Sequence, residues 1–146
     1  MRVVVQRVSE ASVIIGGKCV GKIDKGLCVF VGIVASDTKE TIKWMSNKLV
    51  NLRIFPDEED KMNRSVLDID GGILLSSNFT LYGDVQKGFR PSFGHSAPTA
   101  ISEPLYQSFL EYLRSNYEIN IESGVFGAMM DISLVNHGPV TIIIEK

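Results

Sequence analysis

Leu27-Cys28-Val29-Phe30-Val31-Gly32-Ile33 is an almost unbroken apolar run, bounded by Gly26 on one side and Ala35-Ser36-Asp37 on the other. A strand with one face in water alternates apolar with polar residues, whereas a short run without a polar face fits a strand covered on both sides. The run is therefore the expected centre of a sheet. On its N-terminal side, Val3, Val5 and Val8, then Val13 and Ile15, alternate with polar residues or fall in short β-branched runs. Gly16-Gly17 supplies a two-residue turn before Lys18-Cys19-Val20, which predicts strands joined by a hairpin.

On the C-terminal side, Asp37 and Glu40 have the spacing of a variant capping box. Ile42, Met45, Leu49 and Leu52 then recur at helical spacing, predicting a helix over 38–51 that covers one sheet face. Pro56-Asp57-Glu58-Glu59-Asp60-Lys61 reads as an exposed acidic loop, and it lacks the pattern of a calcium loop. Asp70-Gly71-Gly72 is a turn leading into the strand Ile73-Leu74-Leu75-Ser76. From Gly83 to Thr99 there is little periodicity, which is long for a loop in a small domain, and loops of that length are often functional.

A second helix is expected from Glu103 to Asn116, with Ser102 as its N-cap, Pro104 in the first turn and Leu105, Phe109 and Leu113 as an apolar stripe. Met130-Asp131-Ile132-Ser133-Leu134 alternates, Asn136-His137-Gly138-Pro139 breaks the run, and Val140-Thr141-Ile142-Ile143-Ile144 is a β-branched strand. Strands, helix, strand, long loop, helix, strands is an α+β order and not the strict alternation of a doubly wound fold. The expectation is a mixed, barrel-like β-sheet covered by two main helices.

With 146 residues, of which 45% are hydrophobic, the chain is expected to form one domain over 1–146 around one core. No Pro/Ser/Gly tract or charge block suggests a linker, the opening residues lack a signal-peptide pattern, and no stretch is long enough for a membrane span. The cytoplasm is the expected compartment. Cys19 and Cys28 lie in apolar surroundings without CxxC spacing and are expected to be buried, reduced thiols. Fifteen Lys and Arg against 17 Asp and Glu give a net charge of −2, which argues against coating long nucleic-acid backbones and leaves room for a small local contact.

There is no GxSxG, P-loop or GxGxxG, and His95 and His137 have no partner at metal-ligand spacing, so neither a metal nor a cofactor is expected. Any reaction has to use backbone groups, a hydroxyl or the substrate itself. Ser76-Ser77-Asn78-Phe79-Thr80 gathers hydroxyls and an amide just past an apolar strand. It fits an oxyanion-type site, but composition alone favours a polar strand end whose Ser and Thr bond the local backbone. Gly138-Pro139 fits carbonyls turned in an unusual direction, including through a cis bond, but taken alone an ordinary hairpin turn is the favoured reading.

Read together, Ser77-Asn78-Phe79-Thr80-Leu81-Tyr82 and Asn136-His137-Gly138-Pro139-Val140-Thr141 resemble the two signature segments of the D-aminoacyl-tRNA deacylases. The opening Met1 to Val8, Asn51-Leu52-Arg53-Ile54-Phe55, Lys87-Gly88-Phe89-Arg90-Pro91-Ser92-Phe93 and Phe126-Gly127-Ala128-Met129-Met130 resemble further segments of that family, in order. The resemblance spans essentially the whole chain.

It implies a homodimeric cytoplasmic enzyme that hydrolyses the ester joining a D-amino acid, or glycine, to the terminal adenosine of tRNA, as proofreading. It implies that Gly138 and Pro139, through a cis peptide inserted into the neighbouring subunit's site, exclude L side chains, and that Arg7 holds them. Backbone groups of Ser77, Asn78, Phe79 and Thr80 would receive the ester, with N–H groups near Phe79 and Thr80 stabilising the oxyanion and the vicinal ribose hydroxyl assisting water. Phe126 and Met130 would flank the adenine, and Lys87 and Arg90 would meet phosphates of the acceptor end, although plain solvation also explains that pair.

One position departs from the family pattern. Asn78 stands where the family has Gln, so a contact made by the longer amide would be lost, shifted or bridged by water. His137 is at a variable position and is expected to face solvent; Thr80 has no base beside it in sequence and is expected to position rather than attack. The rival readings are an editing domain of the same fold that removes an L-amino acid, a nucleic-acid-binding dimer without activity, and a metal hydrolase.

Overall fold

A computed structural model describes residues 1–146. In chain order its elements are β1 (Arg2–Ile15), β2 (Lys18–Ile23), β3 (Gly26–Gly32), α1 (Lys39–Val50), β4 (Phe55–Pro56), β5 (Met62–Arg64), β6 (Gly72–Ser77), a 3-10 turn (Phe79–Tyr82), α2 (Thr99–Asn116), β7 (Ile121–Ser123) and β8 (Asp131–Glu145).

The apolar run becomes β3, and β3 lies inside a six-stranded sheet of order β2-β1-β3-β6-β7, with β8 paired to β1. It runs antiparallel to β1 and parallel to β6, so the sheet is mixed. Alternation explains why it needs two apolar faces. Leu27, Val29 and Val31 point with Ile73 and Leu75 of β6 into a cluster of 23 buried residues under the helices. Cys28 and Leu74 point the other way, into a cluster of six with Val8, Ala11, Val13 and Ile23. Each Val or Leu fully buried in this way contributes roughly 1.5–3 kcal/mol.

The curl of the sheet comes from β1. Along one edge its first half pairs with β3 and its second half with β2, while β8 follows its other edge from Arg2 to Ile14. One strand thus carries neighbours that diverge, and the sheet bends into the expected barrel-like form. Where β3 meets β6 the two chains begin at Gly26 opposite Gly72, and a Cβ on Gly26 would overlap the Gly72 backbone. Any side chain there would pry the two central strands apart.

Helices α1 and α2 pack on each other and on the same sheet face. Ile42, Met45, Leu49 and Val50 of α1 and Tyr106, Phe109, Leu110 and Leu113 of α2 are buried. The capping of α1 differs from expectation. Thr38 and Thr41 form the capping box, because the Asp37 carboxylate is occupied. One of its oxygens takes the buried Met1 ammonium and the other the Val34 N–H.

Helix α2 starts at Thr99, four residues before the expected Glu103, behind Pro98, which has no side-chain acceptor to offer. Ser102, expected as the cap, lies inside the first turn and donates to the Pro98 carbonyl. Pro104 then sits within the helix. Cys19 is exposed rather than buried, because it lies beside the hairpin turn, past a register shift that breaks the alternation of β2, while Cys28 is buried as expected. Burial pushes the Cys28 thiol up to about 12.

Residues 130–144 were expected as two strands with a break. They form one strand, β8, whose ladder with β1 shifts register twice, between Gln6 and Val8 and between Val8 and Glu10. Asn136 pairs with Val8 and Thr141 with Gln6, so four residues, 137–140, stand opposite Arg7 alone. No helix is long and apolar enough to cross a membrane.

Candidate functional site

The parallel strand β6 ends at Ser77, and the Asn78 N–H donates to the Val31 carbonyl of β3 (2.7 Å), tying the chain down where it leaves the sheet. The 3-10 turn follows at once. Its first bond runs from the Leu81 N–H to the Asn78 carbonyl (3.3 Å), and the Asn78 side chain caps nothing. The N–H groups of Phe79 and Thr80 precede that bond, so they are the orphan donors with which every helical turn begins.

Side chains from distant parts of the sequence fix this turn. Ser96 donates to the Phe79 carbonyl (2.7 Å), and Phe93 meets the Phe79 ring edge to face, with centroids 5.0 Å apart. Arg2 donates to the Leu81 carbonyl (2.7 Å) and lies over the Tyr82 ring. Burial, and secondarily Asp37, push the Tyr82 hydroxyl up to about 12.

Beside the turn opens a cleft of about 560 Å³. Ser77, Asn78 and Phe79 form one wall, and Phe126 to Met130 the opposite one; Phe93, Ser96 and the first turn of α2 close it. Tyr106 joins the two walls from beneath. Its hydroxyl donates to the Leu75 carbonyl of β6 (2.9 Å), and its ring packs against Phe126, with centroids 5.7 Å apart. Burial raises the Tyr106 hydroxyl far above its usual range, so it remains a donor.

No Asp, Glu, His, Lys, Arg or Cys lines the cleft. Its polar groups are hydroxyls, one carboxamide and main-chain atoms, set among apolar side chains. Such a lining receives a partly apolar ligand and offers hydrogen bonds to a developing negative charge, but contains no side chain able to take a proton near neutral pH. Nowhere in the chain do three His, Cys, Asp or Glu side chains converge in the manner of a metal site.

The expected residues separate into groups. Ser77, Asn78, Phe79, Phe126 and Met130 come together in the cleft. Thr80 stands just outside its lining and is exposed, with its hydroxyl donating to the Asn78 Oδ1. That contact uses the shorter amide's oxygen and leaves its NH2 group free to turn into the cleft. Lys87 and Arg90 are exposed on a hairpin closed by the Asp84 and Ser92 backbones.

Gly138 and Pro139 do not line the cleft; they are exposed on the β8 bulge, and the peptide between them is cis. Arg7 is 7% exposed and its guanidinium donates to the His137 carbonyl (3.0 Å) and to the Ile54 carbonyl (2.6 Å). A Cβ on Gly138, whose φ is +121°, would overlap that guanidinium. Asn136 closes the bulge from the other side by donating to the Arg7 and Val140 carbonyls.

Sequence reading assigned no role to Asn136, Phe93, Ser96 or Tyr106. Asn136 and Phe93 lay within segments singled out for their composition, whereas Ser96 and Tyr106 carry no local signal.

A profile described as D-Tyr-tRNA(Tyr) deacylase matches residues 4–145. Proteins named D-aminoacyl-tRNA deacylase are similar over the full 146 residues of this chain. That of Thermosipho africanus is 52% identical with 97% of its own length covered, and that of Exiguobacterium sibiricum 51% with 100% covered. A solved structure titled c-Myc DNA Unwinding Element Binding Protein matches with a TM-score of 0.94 and 44% identity, over 100% of this chain and 99% of that one. Another, titled as a probable eukaryotic D-amino acid tRNA deacylase, matches with a TM-score of 0.83 at 20% identity, over 98% and 97%, and speaks for the fold alone. With the profile spanning nearly all of its residues and relatives at half identity end to end, the chain belongs to the D-Tyr-tRNA(Tyr) deacylase family.

Proposed function

We propose that this chain hydrolyses the ester between a D-amino acid, or glycine, and the terminal adenosine of tRNA, releasing free amino acid and tRNA. The observation that carries this reading is a cleft with orphan N–H donors at its rim and no titratable side chain in its lining. In such a cleft the Phe79 and Thr80 N–H groups hold the carbonyl oxygen as it gains negative charge. The vicinal ribose hydroxyl, which the substrate brings with it, assists water in place of a protein base. Ser77 and Asn78 position the ester, and Thr80 orients the Asn78 amide. Phe126 and Met130 flank the adenine, and Lys87 and Arg90 meet phosphates of the acceptor end.

Residues 1–146 act as one domain in a cytoplasmic homodimer with no metal or cofactor. Gly138 and Pro139 act in the cleft of the second copy, where their main chain faces the substrate α-carbon and leaves no room for an L side chain. Support comes from the bulge itself: it is exposed, away from its own cleft, and yet held by a buried guanidinium and the Asn136 amide.

The test is to follow ester loss from D-Tyr-tRNA, L-Tyr-tRNA and glycyl-tRNA. Hydrolysis of the D and glycyl esters is expected, with the L ester spared. Hydrolysis of the L ester alone points to an L-editing domain of the same fold. The 44% identical structure, named for DNA binding, favours a second reading, nucleic-acid binding without hydrolysis, and loss of none of the three esters would select it.

A further inference from the structure

The hairpin from Asp84 to Ser92 carries the most exposed aromatic side chain of the protein. Its ends are joined by reciprocal backbone bonds of 2.7 and 2.9 Å, and the Gln86 N–H donates to the Asp84 carboxylate, so its base is held firmly. At its tip Gly88 has a φ of +69°, and Phe89 is 107% exposed, with both faces of its ring in water. Lys87 and Arg90 stand on either side, and from Val85 to His95 there is no acidic residue, in a chain whose net charge is −2. The hairpin is rooted in the cleft: Phe93, just past its base, lines the cleft and meets Phe79 edge to face.

An unpacked aromatic ring between two cations is suited to a ligand that has stacking faces and a negative backbone, which describes single-stranded nucleic acid. We infer that Phe89 is a base-stacking subsite for the unpaired 3′ tail of the tRNA. It takes a nucleotide upstream of the terminal adenosine while Lys87 and Arg90 lie along its phosphates. This rests on the proposed deacylase reading for the identity of the RNA and extends it beyond the cleft. The subsite gives the enzyme a grip on the polynucleotide that is independent of the ester.

The test compares wild type, Phe89→Ala and Phe89→Tyr in three measurements. These are anisotropy with a fluorescent RNA hairpin bearing a tRNA-like 3′ tail, hydrolysis of D-tyrosine esterified to adenosine alone, and molar mass in solution. Loss of one stacked base predicts that Phe89→Ala weakens RNA binding about tenfold, with Phe89→Tyr close to wild type. Hydrolysis of the adenosine ester and the molar mass are expected to be the same in all three proteins. Unchanged RNA binding in Phe89→Ala overturns the inference. So does an equal loss on the adenosine ester, which would make Phe89 part of the cleft, or a fall in molar mass, which would make the tip a contact between copies. A wild type that binds RNA through Phe89 but cleaves neither the adenosine ester nor D-Tyr-tRNA would overturn the deacylase reading and leave the subsite standing.

Discussion

The cleft beside β6 and the bulge of β8 solve one problem in two ways. Both present main-chain groups in a direction that regular secondary structure does not allow, and both are fixed by side chains that bond those main-chain groups. In the cleft the holders are neutral: the Ser96 hydroxyl on the Phe79 carbonyl and the Tyr106 hydroxyl on the Leu75 carbonyl. In the bulge the principal holder is a buried cation, Arg7, serving the His137 and Ile54 carbonyls with no carboxylate beside it. The cleft also has walls, whereas the bulge projects into solvent. A buried charge carries a desolvation cost that its hydrogen bonds to the His137 and Ile54 carbonyls have to offset, so those bonds bind the bulge tightly to the rest of the fold.

The largest effect is expected from breaking the bulge. Arg7→Ala leaves two carbonyls without their donor, at a cost of about 2–4 kcal/mol in unfolding free energy. If the bulge faces the substrate α-carbon in the second copy, loosening it should end the sparing of L-Tyr-tRNA and, by letting the substrate sit loosely, cut hydrolysis of D-Tyr-tRNA about a hundredfold. Arg7→Lys should rescue little, since an ammonium lacks the planar fork that spans two acceptors. If the bulge serves the second copy, an Arg7→Ala chain mixed and refolded with a Phe126→Ala chain forms one intact site per mixed dimer. Activity should then return to about a quarter of wild type, as random pairing of two chains gives. Mixtures no better than the separate variants would confine the bulge to its own chain.

The two regions were unequally legible in the sequence. The scaffold was open to reading because β3 is apolar on both faces and α1 has a clean stripe, and both patterns are local. The start of α2 was missed because Ser102 looks like a cap, whereas Pro98 ends the preceding chain without offering an acceptor. Gly138-Pro139 read as a break, yet β8 continues past it, because the ladder with β1 needs only the single residue Arg7 to span the bulge. The cleft's supports were out of reach for a different reason. Ser96 and Tyr106 act on Phe79 and Leu75 across 17 and 31 residues of sequence, and nothing in their immediate neighbours records that.

Tyr106→Phe tests the neutral mode of support. It removes one buried hydroxyl and leaves the Leu75 carbonyl unpaired, costing about 1–3 kcal/mol, while the ring still backs Phe126. Stability should drop measurably in a urea titration, with KM for D-Tyr-tRNA rising several-fold and kcat little changed. A fall in kcat at constant KM would mean that the hydroxyl tunes the oxyanion donors and does more than hold a wall. Smaller still is Asn78→Gln. The longer amide reaches further into the cleft but gives up the short contact with the Thr80 hydroxyl, so activity should stay level or rise. A large loss would mean that the cleft is built around the shorter side chain.

The smallest effect concerns β3, whose Val31 lines the cleft. Cys28 lies on β3 opposite Gln6 of β1 and Leu74 of β6, with its side chain in the smaller buried cluster. Its thiol is raised by burial from 9.0 to about 12 in the fold. A folded-state value above the unfolded one means that the folded chain holds a proton which the unfolded chain releases first. The contribution is therefore complete below pH 9 and is lost progressively as pH rises toward 12. Cys28→Ala removes it along with some packing. The variant should be less stable at neutral pH, yet its stability should fall less steeply above pH 9, where wild type approaches it. Urea titrations from neutral pH to about pH 11 read this difference, and parallel losses of stability in the two proteins above pH 9 would place the alkaline dependence on other groups.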